Sequence, residues 1–139
     1  MSESSSQPPS VFQLPIRIYI EDTDAGGVVY HSHYLKYLER SRTEFLRSLG
    51  YGKAAIMEDV LLVVHGLEIQ YLAPALLDDE IVATASISKL ARTYIVFQQE
   101  VYRSDQLLCK ASVKIACVSN KMRPVALPSD VVEALKACV

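Results

Sequence analysis

From Leu14 the apolar residues Leu14, Ile16, Ile18 and Ile20 alternate with Pro15, Arg17 and Tyr19. This two-residue period predicts a strand with one buried face. It runs into an acidic loop, Glu21-Asp22-Thr23-Asp24-Ala25-Gly26-Gly27, after which the period changes. Leu35, Leu38, Phe45, Leu46 and Leu49 recur at spacings of three, four and seven, with Lys36, Glu39, Arg40, Arg42, Glu44 and Arg47 between them. Such a stripe predicts an amphipathic helix over 32–49, closed by Gly50 at a left-handed position. At ~1.5 Å per residue it is roughly 25 Å long. Four more strands are expected at 61–71, 80–90, 93–102 and 107–118, all rich in β-branched and aromatic residues or alternating apolar and polar ones. Pro74 with Asp78-Asp79, Ala91-Arg92 and Ser104-Asp105 mark the turns between them, the last short enough for a hairpin. A terminal helix is expected over 131–136, with Asp130 and Glu133 spaced as a capping pair.

One strand, one long helix and four strands without crossover helices define an α+β chain. The arrangement that buries both apolar faces is an antiparallel five-stranded sheet curved around one long central helix, the hotdog architecture. Sheet edges and a helix flank stay open in such a monomer, so a homo-oligomer, dimer or tetramer, is expected. Residues 1–10, polar with a Pro-Pro pair, are expected to be a mobile tail, and residues 11–139 a single domain.

Composition narrows the function classes. The 139 residues are 50% hydrophobic and 22% charged, enough apolar surface for one core. A net charge of -2 supplies no global field for nucleic acid or anionic lipid. Cys109, Cys117 and Cys138 form no CxxC pair and are expected to be reduced thiols. The chain begins without the basic start and apolar run of a secretory signal, and nowhere do eighteen apolar residues run together. The expectation is a cytoplasmic protein with no integral membrane segment.

Candidate chemistry concentrates between Tyr19 and Tyr34. Asp22 and Asp24 precede paired glycines, which admit close approach of a ligand, and then the start of the helix, which offers unpaired N–H groups. An acyl-transfer site needs both parts: a carboxylate that activates water or attacks directly, and N–H donors aimed at the developing oxyanion. Asp24, abutting the glycines, is the candidate carboxylate and Asp22 its neighbour. The plainer reading makes both aspartates turn caps and packs His31 on the helix end. His31-Ser-His33 with Asp22 and Asp24 supplies potential metal donors, but side chains two apart diverge, so no metal is expected. Nucleophile elbow, phosphate loop and dinucleotide fingerprint are all missing from the sequence.

The run Glu21-Asp-Thr-Asp-Ala-Gly-Gly-Val-Val-Tyr-His31, then Tyr34 and Glu39-Arg-Ser-Arg-Thr-Glu44, resembles the signature of the 4-hydroxybenzoyl-CoA thioesterase-like hotdog proteins. Within them it is most similar to the Tol-Pal-associated acyl-CoA thioesterases. The likeness continues at Tyr71-Leu-Ala-Pro-Ala75, Asp79 and Lys121-Met-Arg-Pro-Val-Ala-Leu-Pro128. It implies an acyl-CoA thioesterase in which Asp24 is the catalytic carboxylate and the backbone N–H at His31 faces the thioester oxygen. It further implies coenzyme A phosphates held near Lys89, Arg92 and Thr93, with more basic contacts at Lys121 and Arg123. The plainer reading leaves these as solvated turn residues. Gly27, Tyr30, Tyr34, Tyr37 and the run Val63-Val64-His65 are candidates to line the acyl site, against a packing role. Glu39 and Glu44 are expected to pair with Arg40, Arg42 or Arg47.

No cofactor is expected, coenzyme A being part of the substrate. Two alternatives stay open: an aromatic, hydroxybenzoyl-type CoA thioesterase, and a non-catalytic acyl-CoA or acyl-carrier binding module.

Overall fold

The computed structural model describes residues 11–51, the backbone at 56–57, and residues 60–139. The tail expected at 1–10 lies outside the described residues. The elements run β1 (Phe12–Arg17), a 3-10 turn (Ile20–Asp22), α1 (His33–Ser48), β2 (Ile56–Met57), β3 (Val60–Tyr71), β4 (Glu80–Leu90), β5 (Tyr94–Arg103), β6 (Gln106–Ser119) and α2 (Ser129–Lys136).

All strands pair antiparallel in one sheet of order β1-β4-β5-β6-β3-β2. The five expected strands are present; β2 adds a two-residue sixth at the edge of β3. Helix α1 lies across the concave face, packed chiefly on β4 and β1. The core between them is built from Tyr37, Leu38 and Phe45 of α1 against Ile81, Ala83, Phe97, Val101 and Val113 of the sheet, all nearly solvent-free. Alanines at 83 and 85 leave room for the helix to sit close.

Three local expectations are corrected. Strand β1 ends at Arg17, and Ile20 falls in the 3-10 turn, 76% exposed, because the chain reverses as soon as Ile18 is buried. In α1 the buried stripe is Tyr34, Tyr37, Leu38, Ser41, Phe45 and Leu46, while Leu35 is 40% exposed. The tyrosines, not Leu35, face the core because α1 is rotated toward β4, where the Ser41 hydroxyl donates to the carbonyl of Ala83. The last helix starts at Ser129 on Pro128, with no side-chain cap, and Glu133 pairs with Lys136 instead of capping.

The end of α1 follows the expectation. Gly50 takes φ 101°, its N–H donating to Arg47 O and that of Tyr51 to Leu46 O, the paired bonds of a Schellman ending. Ser104, also left-handed at φ 52°, turns the β5–β6 hairpin in two residues.

Candidate active site

The loop between β1 and α1 is held against the β3–β4 connection. Val29 donates to Ala75 O and Leu77 to Gly27 O, and Val28 bridges to Leu76. Gly27 adopts φ 79°, a conformation that strains any side chain, so this glycine builds the turn.

That turn curls around Asp24. Its Oδ1 accepts the N–H of Gly26 at 2.8 Å and of Val28 at 3.3 Å. Among the described residues Oδ2 takes no hydrogen bond, so one carboxylate oxygen anchors the loop and the other is free, in a residue that lines an exposed cleft. The cleft, about 410 Å³, is lined by Asp24, Val28, Val29, Tyr30, His31, Tyr34 and the segment from Tyr71 to Pro74. Four expected site residues, Asp24, Tyr30, His31 and Tyr34, therefore share one cavity. Gly27 stands beside it as a backbone hinge.

His31 lies in a turn just before α1. The first N–H groups of the helix fold back on that turn: His33 donates to Tyr30 O, Tyr34 to His31 O and Leu35 to Ser32 O. Among the described residues no backbone acceptor takes the N–H of His31 or Ser32. The donors left for a ligand are thus one step earlier than the helix itself. The imidazole of His31 stands edge-on to Tyr71, whereas His33 turns the other way, its Nε2 3.7 Å from Asp22 Oδ1. Asp22 also accepts the N–H of Tyr19, so it braces the loop. No group of three His, Cys, Asp or Glu side chains among the described residues could hold a metal ion.

Two tyrosines frame the cleft. Tyr34 Oη accepts the N–H of Ala75 at 2.9 Å, and burial pushes its phenol up despite that bond. Tyr71 donates to His31 O at 2.9 Å, and partial burial raises its phenol as well. Tyr71, Leu72, Ala73 and Pro74 were legible only as a motif of the resemblance. A tyrosine ending a strand just before a proline-containing connection is the signal that places them at a cavity mouth. Tyr37, buried deeper, has its phenol raised by burial and then by the charge of Asp22.

The basic candidates sit elsewhere in the same chain. Tyr71 pairs with Cys109, whereas Thr93 bonds Cys117, eight residues further along β6 and roughly 25 Å away at strand rise. Lys89, Arg92 and Thr93 occupy that far end, where Arg123 also pairs with Ser119. Lys89 and Lys114 flank the Tyr94 ring, which lowers its phenol chiefly through the bond to Lys89. Val64, 55% exposed, lines a separate pocket with Arg42, Leu46, Leu62 and Ile115. Val63 and His65 flank it on β3, where a register shift falls between Val64 and Gly66. Glu44 pairs with Arg47 as expected, but Arg42 turns inward to Gln99.

The cysteines are free thiols, and burial pushes Cys109 up to about 11, which disfavours a nucleophilic thiolate.

A sheet packed on one helix, with a carboxylate and His31 lining one cleft at the helix start, fits a hotdog thioester hydrolase. The family model of the thioesterase superfamily matches residues 26–110, and the chain belongs to that family. It is 46% identical over 123 residues to the acyl-CoA thioesterase YbgC of Haemophilus influenzae, covering 86% of this chain and 90% of that one. It is 42% identical over 130 residues to the acyl-CoA thioester hydrolase YbgC of Escherichia coli, covering 91% and 97%. A solved Aquifex aeolicus protein superposes with a TM-score of 0.83 at 31% identity, over 89% of this chain and 98% of that one.

Proposed function

We propose that the chain hydrolyses acyl-CoA thioesters to the free acid and coenzyme A, with Asp24 and the turn at His31 as its working parts. One observation carries this reading: Asp24 and His31, whose N–H no backbone acceptor takes among the described residues, line the same cleft. Water activated by Oδ2, or Oδ2 itself, adds to the thioester carbonyl. The carbonyl oxygen takes the negative charge, stabilised by the His31 N–H. Collapse of the tetrahedral intermediate breaks the C–S bond and releases the thiolate of coenzyme A. Where Oδ2 is the nucleophile, water then hydrolyses the acyl-aspartate. The likeness to relatives named acyl-CoA thioesterases supports an acyl-CoA substrate; an acyl-carrier thioester and association with the Tol-Pal envelope system belong to the proposal through the sequence resemblance alone.

The complete site is proposed to form between copies. On its edge away from β6, β3 has no strand partner beyond Leu61 among the described residues, and Val64, Leu67, Tyr71 and Leu72 are exposed along the strand and just past its end. Antiparallel pairing of two such edges sets the Tyr71 end of one copy beside the Val60 end of the other. That end carries Lys89, Arg92, Thr93 and Arg123, so the partner's basic turns would face this copy's cleft and the phosphates of its substrate. Dimers pairing further into tetramers, held in the reducing cytoplasm that free thiols suit, complete the proposal.

The test is thiol release from a panel of short, medium and long aliphatic acyl-CoAs and benzoyl-CoA. Turnover of at least one thioester is expected. Tight binding without release of coenzyme A would overturn the reading in favour of a binding module.

A further inference from the structure

Tyr71 ends β3 at the mouth of the cleft, and its phenol donates to the carbonyl of His31 at 2.9 Å. Its ring stands edge-on to the His31 imidazole at 5.9 Å and to Tyr34 at 5.4 Å. Tyr34 accepts the N–H of Ala75, so this aromatic group ties the turn before α1 to the β3–β4 connection. The held carbonyl is one half of the His31–Ser32 peptide. A trans peptide is planar with C=O and N–H opposed, so fixing the carbonyl aims the N–H of Ser32. The preceding plane is fixed by helix backbone, where His33 donates to Tyr30 O at 2.9 Å, and this aims the N–H of His31. Among the described residues, the His31 carbonyl has, apart from Tyr71, only the longer bond from the Tyr34 N–H, at 3.2 Å.

We infer that Tyr71 is a positioning residue for the thioester reaction: its hydroxyl locks the 31–32 peptide, and with it the N–H of Ser32 and the far side of the His31 turn, while the Tyr30–His33 bond holds the near side, so that the turn keeps its N–H groups in place for the substrate oxygen. The inference rests on the thioesterase reading and adds a residue to it. Donors stabilise an oxyanion to the extent that they are already in place, so a turn free to rotate loses rate without losing substrate affinity. A hydrogen bond to the carbonyl also polarises its own peptide, strengthening the N–H on the other side.

Tyr71→Phe deletes the hydroxyl and keeps the ring against His31 and Tyr34. Expected are a fall in kcat of about tenfold, a KM within about twofold of wild type and an unchanged Tm. The amide resonances of His31 and Ser32 should shift while those of α2 stay in place. Wild-type kcat, or a raised KM at constant kcat, overturns the inference, and so does a lowered Tm with resonances displaced throughout. If the wild-type protein itself releases no thiol from any acyl-CoA, the thioesterase reading falls and the inference with it. Failure of Tyr71→Phe alone leaves that reading standing.

Discussion

At the residue scale, the proposed chemistry is confined to eight residues, Asp24 to His31, which contain the acid, the glycines and the turn. What could not be read from the sequence was how the carboxylate is split, with Oδ1 tethered by Gly26 and Val28 and Oδ2 left free. Distances between strand ends were equally hidden, so the sequence did not show that Lys89 and Arg92, carried over by resemblance as phosphate contacts, lie at the far end of the sheet from Asp24 within one chain. Cys109 shows what burial does to a group outside the chemistry. Its thiol is raised from 9.0 to about 11, so the folded chain holds that proton more tightly than the unfolded chain. The stability it contributes is whole below pH 9 and is lost as pH rises through about 11. Tm should therefore fall over that interval, and fall less steeply in Cys109→Ala; parallel slopes would contradict this.

At the element scale, strand positions followed from alternation, and the Gly50 ending of α1 from the need for a left-handed residue. In α1, Leu38, Phe45 and Leu46 are buried as expected, but Tyr34 and Tyr37 replace Leu35 in the stripe: leucine outranks tyrosine as a core residue, whereas Tyr34 satisfies its hydroxyl on Ala75 and so is buried at no hydrogen-bonding loss. The polar joint between helix and sheet left no trace in periodicity. Gln99, fully buried, donates to Leu38 O and Thr84 O and accepts from Arg42, fixing α1 on β4 and β5. Gln99→Leu has similar volume but removes the extra donor to two backbone carbonyls and leaves the inward-turned Arg42 guanidinium without its acceptor. It should cost about 3 kcal/mol, read from urea unfolding, and a loss below about 0.5 kcal/mol would show the joint to be dispensable.

At the scale of the whole molecule, the order of elements defined the fold, since one strand, one helix and four strands with short connections leave few ways to bury both faces. The open edge of β3 was foreseen in kind but not in place. If the site is completed across that edge, turnover should vanish on dilution to monomers, in step with the sedimentation coefficient, and Leu67→Glu should produce inactive monomers. Full specific activity in a monomer would contradict the shared site. The most direct test of the central claim is Asp24→Asn, because the new amide oxygen can still accept the N–H groups of Gly26 and Val28 while the charge is gone. With Tm and oligomeric state unchanged, kcat for the best acyl-CoA should drop at least about a hundredfold. Hydrolysis at the wild-type rate would show that the carboxylate in this cleft does not do the chemistry.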